Sequence, residues 1–252
     1  MRENFRGFTL AEVLITLTII GVVAALTVPN LYAYYQKTQY VTQLKKIYTE
    51  ISQALKLMMA DESINKITAS DTLYCDETAG CIWDEAYQRA GNDFLKKYFK
   101  VIKDCGRENL STCFADNYKS ISGNEAGGIG CYYSVIIASG ASICISGQSG
   151  TYNAGTFIVD INGLKLPNVA GRDLFTFSYY YDGSLDESIT PECRKGIANA
   201  SGLCSNYGSN AQEAREEYFN NGRGGQPGCL GNSYSAIGCF GKILNDNWKM
   251  DY

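Results

Sequence analysis

Hydrophobic residues are distributed along this chain in three ways, and each predicts a different kind of element. From Phe8 to Val28 they run almost without interruption over 21 residues. A helix of that length spans about 31 Å, enough to cross a hydrocarbon core of about 30 Å. Further on, Val41, Leu44, Tyr48, Ile51, Leu55 and Met58 recur at alternating intervals of three and four, with Gln, Lys, Thr and Glu mostly between them. This is the period of an amphipathic helix. Pro29 lies between the two segments; it removes an N–H and can kink a helix, which membrane helices tolerate. Joined, the segments predict one helix from Phe8 to Ala60, roughly 80 Å long at about 1.5 Å per residue. The outer stripe lasts under three heptads, which favours packing on the protein's own sheet over a coiled coil.

Beyond that helix the pattern becomes mixed and then strand-like. Short helices are predicted across Trp83 to Gly91 and Asp93 to Lys103. The run Cys131-Tyr132-Tyr133-Ser134-Val135-Ile136-Ile137 passes through Ser139-Gly140 into Ser142-Ile143-Cys144-Ile145, which reads as a hairpin. Thr156 to Ile161 and Asp173 to Tyr181 predict two further strands, the second followed by the turn dipeptide Asp182-Gly183. A Gly- and Asn-rich region from 184 to 236 reads as loops around one short helix near Ala211 to Phe219. Cys239 to Leu244 adds a last helical turn or strand. The fold class is therefore α+β: a long N-terminal helix, with a membrane-spanning half and an amphipathic half, packed on an antiparallel β-sheet. The division is residues 1–7, 8–60 and a globular head over 61–252.

Composition narrows the chemistry. The 252 residues contain no histidine, which removes Ser-His-Asp and Cys-His catalysis and histidine-dependent zinc sites. Net charge is -4 with no basic cluster, so nucleic acid is not an expected partner. No G-x-x-x-x-G-K-[ST] loop is present, and Gly127-Gly128-Ile129-Gly130 has neither the spacing nor the setting of a dinucleotide fingerprint. The 19 tyrosines are explained chiefly as sheet residues with one wet end.

Ten cysteines, Cys75, Cys81, Cys105, Cys113, Cys131, Cys144, Cys193, Cys204, Cys229 and Cys239, follow the apolar run, and no two form a C-x-x-C pair. This density points to disulfides and an oxidising compartment. Short loops favour local pairing: Cys75 with Cys81, Cys105 with Cys113, Cys131 with Cys144, Cys193 with Cys204 and Cys229 with Cys239. Arg2 and Arg6 precede the apolar run and hold the N-terminus on the cytoplasmic side, sending the cysteine-bearing part outward.

One carboxylate, Glu12, lies near the start of the apolar run. On the insertion scale an acid at the centre of a membrane helix costs about 2.5 to 3.5 kcal/mol, so it marks a partner or a function. Gly7-Phe8-Thr9-Leu10-Ala11-Glu12, followed by the apolar stretch with Gly21 and then Pro29, resembles the processing motif of type IV pilins and type II secretion pseudopilins. The resemblance implies a prepilin leader over residues 1–7, cleavage after Gly7 by prepilin peptidase, and methylation of the new amino group on Phe8. It implies a structural subunit without catalysis or a cofactor. The implied partners are the peptidase, other pilin or pseudopilin subunits, an inner-membrane assembly platform and membrane lipid. The implied location is the bacterial inner membrane as a single pass, with the head in the periplasm or outside the cell after assembly. Glu12, meeting the Phe8 amine of a neighbouring subunit, would set register.

Val159-Asp160-Ile161-Asn162-Gly163 with Pro167-Asn168 and Gly171-Arg172-Asp173-Leu174-Phe175 resembles a head signature of the same proteins, some of which bind calcium nearby. Asp160, Asn162 and Asp173 are oxygen ligands of the type calcium takes; they are equally the residues that cap turns. Three alternatives remain open. Val23-Ala24-Ala25 fits a signal-peptide cleavage pattern, and the chain also fits a single-pass membrane-anchored extracytoplasmic binding protein. A secreted enzyme using Asp160 and Asp173 would require those acids to face each other in a cleft.

Overall fold

A computed structural model describes residues 7–76, 80–145, 155–187, 191–195, 210–222, 227–231 and 236–252. The chain divides into two compact units, Met1–Gln39 and Tyr40–Tyr252. Helix α1, Leu10–Asp61, supplies the helical residues of the first and opens the second, with Pro29 inside it. In the first unit its apolar side chains, Leu14, Ile20 and Leu26 among them, are exposed.

In the second unit, α1 buries Val41, Leu44, Ile47, Ile51, Ala54, Leu55 and Met58. The amphipathic period is as expected, but Ile47 takes the deep place assigned to Tyr48. Tyr48 is half-buried and stacks its edge on Trp248 at 5.2 Å between centroids, with Phe240 at 5.8 Å. A ring with a polar tip fits the margin of a core better than its centre.

Six antiparallel strands form the main sheet in the order β1-β4-β5-β6-β7-β8. They are β1 (Val101–Gly106), β4 (Tyr133–Ile137), β5 (Ser142–Ile145), β6 (Gly155–Asp160), β7 (Leu174–Tyr179) and β8 (Leu185–Asp186); β2 (Tyr118–Lys119) and β3 (Glu125–Gly127) pair separately. From β4 to β8 the sheet is a meander, the Gly140 turn between β4 and β5 having a φ of 88° that favours glycine.

Successive residues of a strand face opposite sides, and here both sides are covered. On one, Ile143, Val159 and Phe175 lie in register, as do Ile145, Phe157 and Phe177. Phe157 packs on Phe94 and Tyr179, at 6.0 and 4.9 Å between centroids. On the other, Ser142 pairs with Asp160 and Cys144 with Ile158. The segment after β1 covers this side: the Ser142 hydroxyl donates to the Cys113 carbonyl at 2.5 Å and the Tyr118 hydroxyl to Asp160 at 2.6 Å.

The helix expected over Asp93 to Lys103 is corrected. Helix α2, Trp83–Arg89, continues through a π-helical turn, Ala90–Leu95, and a last turn, Lys96–Tyr98. The chain then becomes extended at Phe99, with φ -120° and ψ 149°, and enters β1. Pairing of β1 with β4 and the Cys105–Cys113 disulfide outweigh the local helical preference of this lysine-rich segment. The π turn puts Gly91 against the ring of Tyr133, where a Cβ would collide.

After β8 come α3 (Pro191–Arg194), α4 (Ala211–Asn221) and α5 (Cys239–Asn245). The expected short helix near Ala211 is α4, started by Asn210, whose side chain accepts from the Glu213 N–H. The last element is helical rather than extended.

Candidate functional site

Within the first unit the start of α1 is built from Gly7, Phe8, Thr9 and Glu12. Phe8 is 88% exposed. Glu12 Oε2 accepts from both the Thr9 backbone N–H and the Thr9 hydroxyl, each at 2.8 Å, while the Glu12 N–H donates back to Thr9 Oγ1 at 3.2 Å. This is a capping box, in which Thr and Glu three residues apart satisfy the free N–H groups of a helix start. The spacing T-x-x-E is the sequence signal of this cap, and in the sequence reading Glu12 carried only its role as an acid in an apolar run.

Further along, the hydroxyls of Thr16, Thr18 and Thr27 donate to the carbonyls of Val13, Leu14 and Val23 at 3.0, 2.8 and 2.8 Å, and Asn30 Nδ2 donates to Leu26 O at 3.4 Å. The three hydroxyl donors are satisfied by the helix itself, and Asn30 places one of its two amide donors there. By length and composition α1 can cross a membrane.

Such a helix, with a polar cap at its start and an exposed apolar surface after it, fits a membrane-anchored protein. Residues 2–28 match the family model described as the prokaryotic N-terminal methylation motif, the signature of type IV pilins and pseudopilins. Comparison with curated proteins and with solved structures found no match.

In the head, Asp160 and Asp173 are both fully buried. Asp160 accepts from the Tyr118 hydroxyl and, at 3.1 Å, from the Asn162 N–H. Asp173 accepts from the N–H groups of Asn168 and Val169 at 2.7 and 2.6 Å. Burial, with the charge of Asp173 added, pushes Asp160 up to about 8. Burial pushes Asp173 up to about 6 against the pull of its backbone donors. Both carboxylates cap turns; they do not face solvent in a cleft. Among the described residues no group of three Cys, Asp or Glu is placed to hold a metal ion, and the Asn162 side chain is turned to the Leu166 carbonyl at 3.3 Å.

Four of the local cysteine pairs are bonded: Cys75–Cys81, Cys105–Cys113, Cys131–Cys144 and Cys229–Cys239, with Cα separations of 5.5, 6.2, 5.9 and 5.0 Å. Cys193 is also disulfide-bonded; Cys204, its expected partner, lies outside the described residues.

A further polar cluster had no sequence signal. Asp186, at the end of β8, receives Arg215 Nε at 3.0 Å and Nη2 at 2.5 Å. Next to it, Glu187 is 4% exposed and accepts from the N–H groups of Gly238 and, at 2.5 Å, Gly241. Burial pushes its carboxyl up to about 8, against those donors. The pair fastens the sheet edge to α4 and α5.

Proposed function

We propose that this protein is the structural subunit of a type IV pilus-like or type II secretion pseudopilus filament. Prepilin peptidase cuts it after Gly7, and the new amino group on Phe8 is methylated. The observation that carries this reading is the methylation motif over residues 2–28 on a helix whose apolar side chains have no cover within their own unit. Such a surface needs lipid or other helices. A filament subunit meets both, the bilayer before assembly and neighbouring subunits after it.

The freed Phe8 amine has a reference pKa of about 7.7 to 8.0, so much of it is cationic at neutral pH. In the low dielectric between packed helices it pairs with Glu12 of an adjacent subunit, since one charge left alone there is strongly unfavourable. That pairing sets register. The chain's partners are then the peptidase, other pilin or pseudopilin subunits and the inner-membrane assembly platform. The head lies in the periplasm or outside the cell, in keeping with its disulfides. No catalytic step is assigned to the chain.

Mass spectrometry of the mature N-terminus tests this. The expected first residue is N-methylated Phe8, and a Gly7→Leu variant should remain unprocessed. A mature start at Leu26 would establish signal-peptide removal, and an unprocessed wild-type chain would establish a membrane-anchored binding protein.

A further inference from the structure

The two ends of the apolar segment carry independent markers of depth. At one end the capping box of Thr9 and Glu12 gathers a carboxylate, a hydroxyl and the helix-start N–H groups. At the other, Tyr32, Tyr34 and Tyr35 are 61%, 70% and 57% exposed, with Lys37 two residues beyond Tyr35. At about 100° per residue Tyr32 and Tyr35 lie about 60° apart and Tyr34 about 100° beyond Tyr35, so the three side chains spread over about 160° of the helix circumference. Tyrosine is enriched where a membrane meets water, because its ring is apolar and its hydroxyl needs a polar partner.

Between these markers lie the 19 residues Val13–Leu31, with no charged side chain. At about 1.5 Å per residue they span about 28 Å, close to the hydrocarbon thickness of about 30 Å. The hydroxyls of Thr16, Thr18 and Thr27 donate to carbonyls of their own helix, so they bring no unmet donor into lipid, and Asn30, which donates to the Leu26 carbonyl, lies at the outer end of the segment.

We infer that the unassembled subunit sits in the bilayer with Val13–Leu31 in the hydrocarbon, Tyr32, Tyr34 and Tyr35 in the outer headgroup layer and Glu12 in the inner, cytoplasmic headgroup layer. The partner surface is a phospholipid bilayer, and the inference rests on the membrane-anchored reading proposed above. It changes the meaning of Glu12. The acid is not held in the hydrocarbon at rest; it stays hydrated beside its Thr9 cap, where the insertion penalty is small. Gly7 and Phe8 then lie on the aqueous cytoplasmic side of that plane, open to a peptidase. Glu12 enters apolar surroundings only when the subunit is drawn outward into a filament, where the amine of a neighbour can meet it.

The test uses the full chain in phosphatidylcholine vesicles. The described cysteines are all disulfide-bonded, so an added cysteine supplies the labelling thiol. Ala11→Cys, Ala24→Cys and Ala33→Cys are each labelled with a small fluorophore, and quenching is compared between lipids spin-labelled near the headgroup and near the chain end. Ala11→Cys and Ala33→Cys should be quenched several-fold more by the shallow lipid, and Ala24→Cys several-fold more by the deep one. In the Ala33→Cys background, replacing Tyr32, Tyr34 and Tyr35 together by Leu should move that label toward deep quenching. Preferential deep quenching at Ala11→Cys, or an unmoved Ala33→Cys label in the Leu background, would overturn the depth assignment. Absence of quenching at all three positions would instead remove the membrane-anchored reading on which it stands.

Discussion

Glu12 and Thr9 hold each other through three hydrogen bonds of 2.8, 2.8 and 3.2 Å across one turn of helix. The carboxylate therefore has a role inside its own chain before any neighbour arrives. Cap and charge can be separated by substitution, because a glutamine can still close a capping box whereas a valine cannot.

Glu12→Gln should keep the helix start and remain cleaved after Gly7, yet lose filament assembly, because the amine of the neighbour then has no counter-charge. Glu12→Val should lose the carboxylate half of the capping box, keeping only the backbone donation to Thr9 Oγ1, and should lose assembly while inserting into membranes at least as well. The measurements are mature mass, circular dichroism in detergent and the yield of sheared filaments. Filaments at wild-type yield from Glu12→Gln would show that the charge does not set register.

Glu187 gives the head a pH dependence whose sign is fixed by burial. Its carboxyl rises from the ordinary 4.5 to about 8 in the folded head, so over that window the folded state binds the proton more tightly than the unfolded chain. The contribution to stability is fully present below about pH 4.5 and is lost as pH rises through about 8. Thermal melts in detergent from pH 5 to 9 should show a falling midpoint, flattened in Glu187→Gln. Glu187→Ala should lower stability at every pH, by about 1–3 kcal/mol for each backbone N–H left unpaired. A rising midpoint across the same range would contradict the raised carboxyl.

How much of this was legible in the sequence depended on whether a residue's role was local. The hairpin of β4 and β5 announced itself, since Tyr133 to Ile137 and Ser142 to Ile145 are apolar-rich and flank Ser139-Gly140. The start of α1 was legible because every residue of its motif lies within one turn or two. Strand β1 was not. Ile102, Lys103 and Asp104 are exposed, so it shows little of the alternation that marks a strand, and its place is set by β4 some 30 residues on. Glu187 was invisible for the same reason: the N–H groups that hold it are 51 and 54 residues away. An acid beside another acid in a Gly- and Asn-rich region carries no sign of burial.

Arg215 and Asp186 form a buried pair, with side chains 16% and 2% exposed. Arg215→Ala should leave the Asp186 carboxylate buried with its principal partner gone and cost about 3–5 kcal/mol. Arg215→Met paired with Asp186→Leu should recover much of that loss, since two apolar groups of similar size leave no charge stranded. Chemical denaturation of the three proteins checks this. Equal stability of Arg215→Ala and wild type would show that the pair contributes nothing.

The Cys229–Cys239 disulfide closes a loop around the end of α4. The Cys229 N–H donates to the Phe219 carbonyl at 2.9 Å, and Gly228 and Gly238 pack so tightly on Phe219 that a Cβ at either would collide with its backbone. Replacing both cysteines by serine should cost about 2–4 kcal/mol, and Gly238→Ala should also destabilise, since Gly238 has a φ of 86°. Neither change touches residues 7–12, so cleavage after Gly7 should proceed as in the wild type. A cleavage defect in either variant would show that processing depends on the folded head.

Asp160, Asn162 and Asp173 separate two chemistries by their response to calcium and to pH. As turn caps, the two carboxyls are raised from the ordinary 3.8 to about 8 and about 6. They therefore stabilise the head most below about pH 3.8, and that contribution is lost as pH rises through those values. As calcium ligands they would have to be deprotonated, so added calcium would raise the melting midpoint, and more so at high pH. The bonds from Tyr118, Asn168 and Val169 occupy the carboxylates as caps, and the expected result is a midpoint at pH 8 unchanged by millimolar calcium. Asp160→Asn should then reduce the fall in stability between pH 5 and 8, because the amide stays neutral where the acid is forced to ionise. A calcium-dependent rise in midpoint that Asp160→Asn abolishes would establish the cation site in place of the caps.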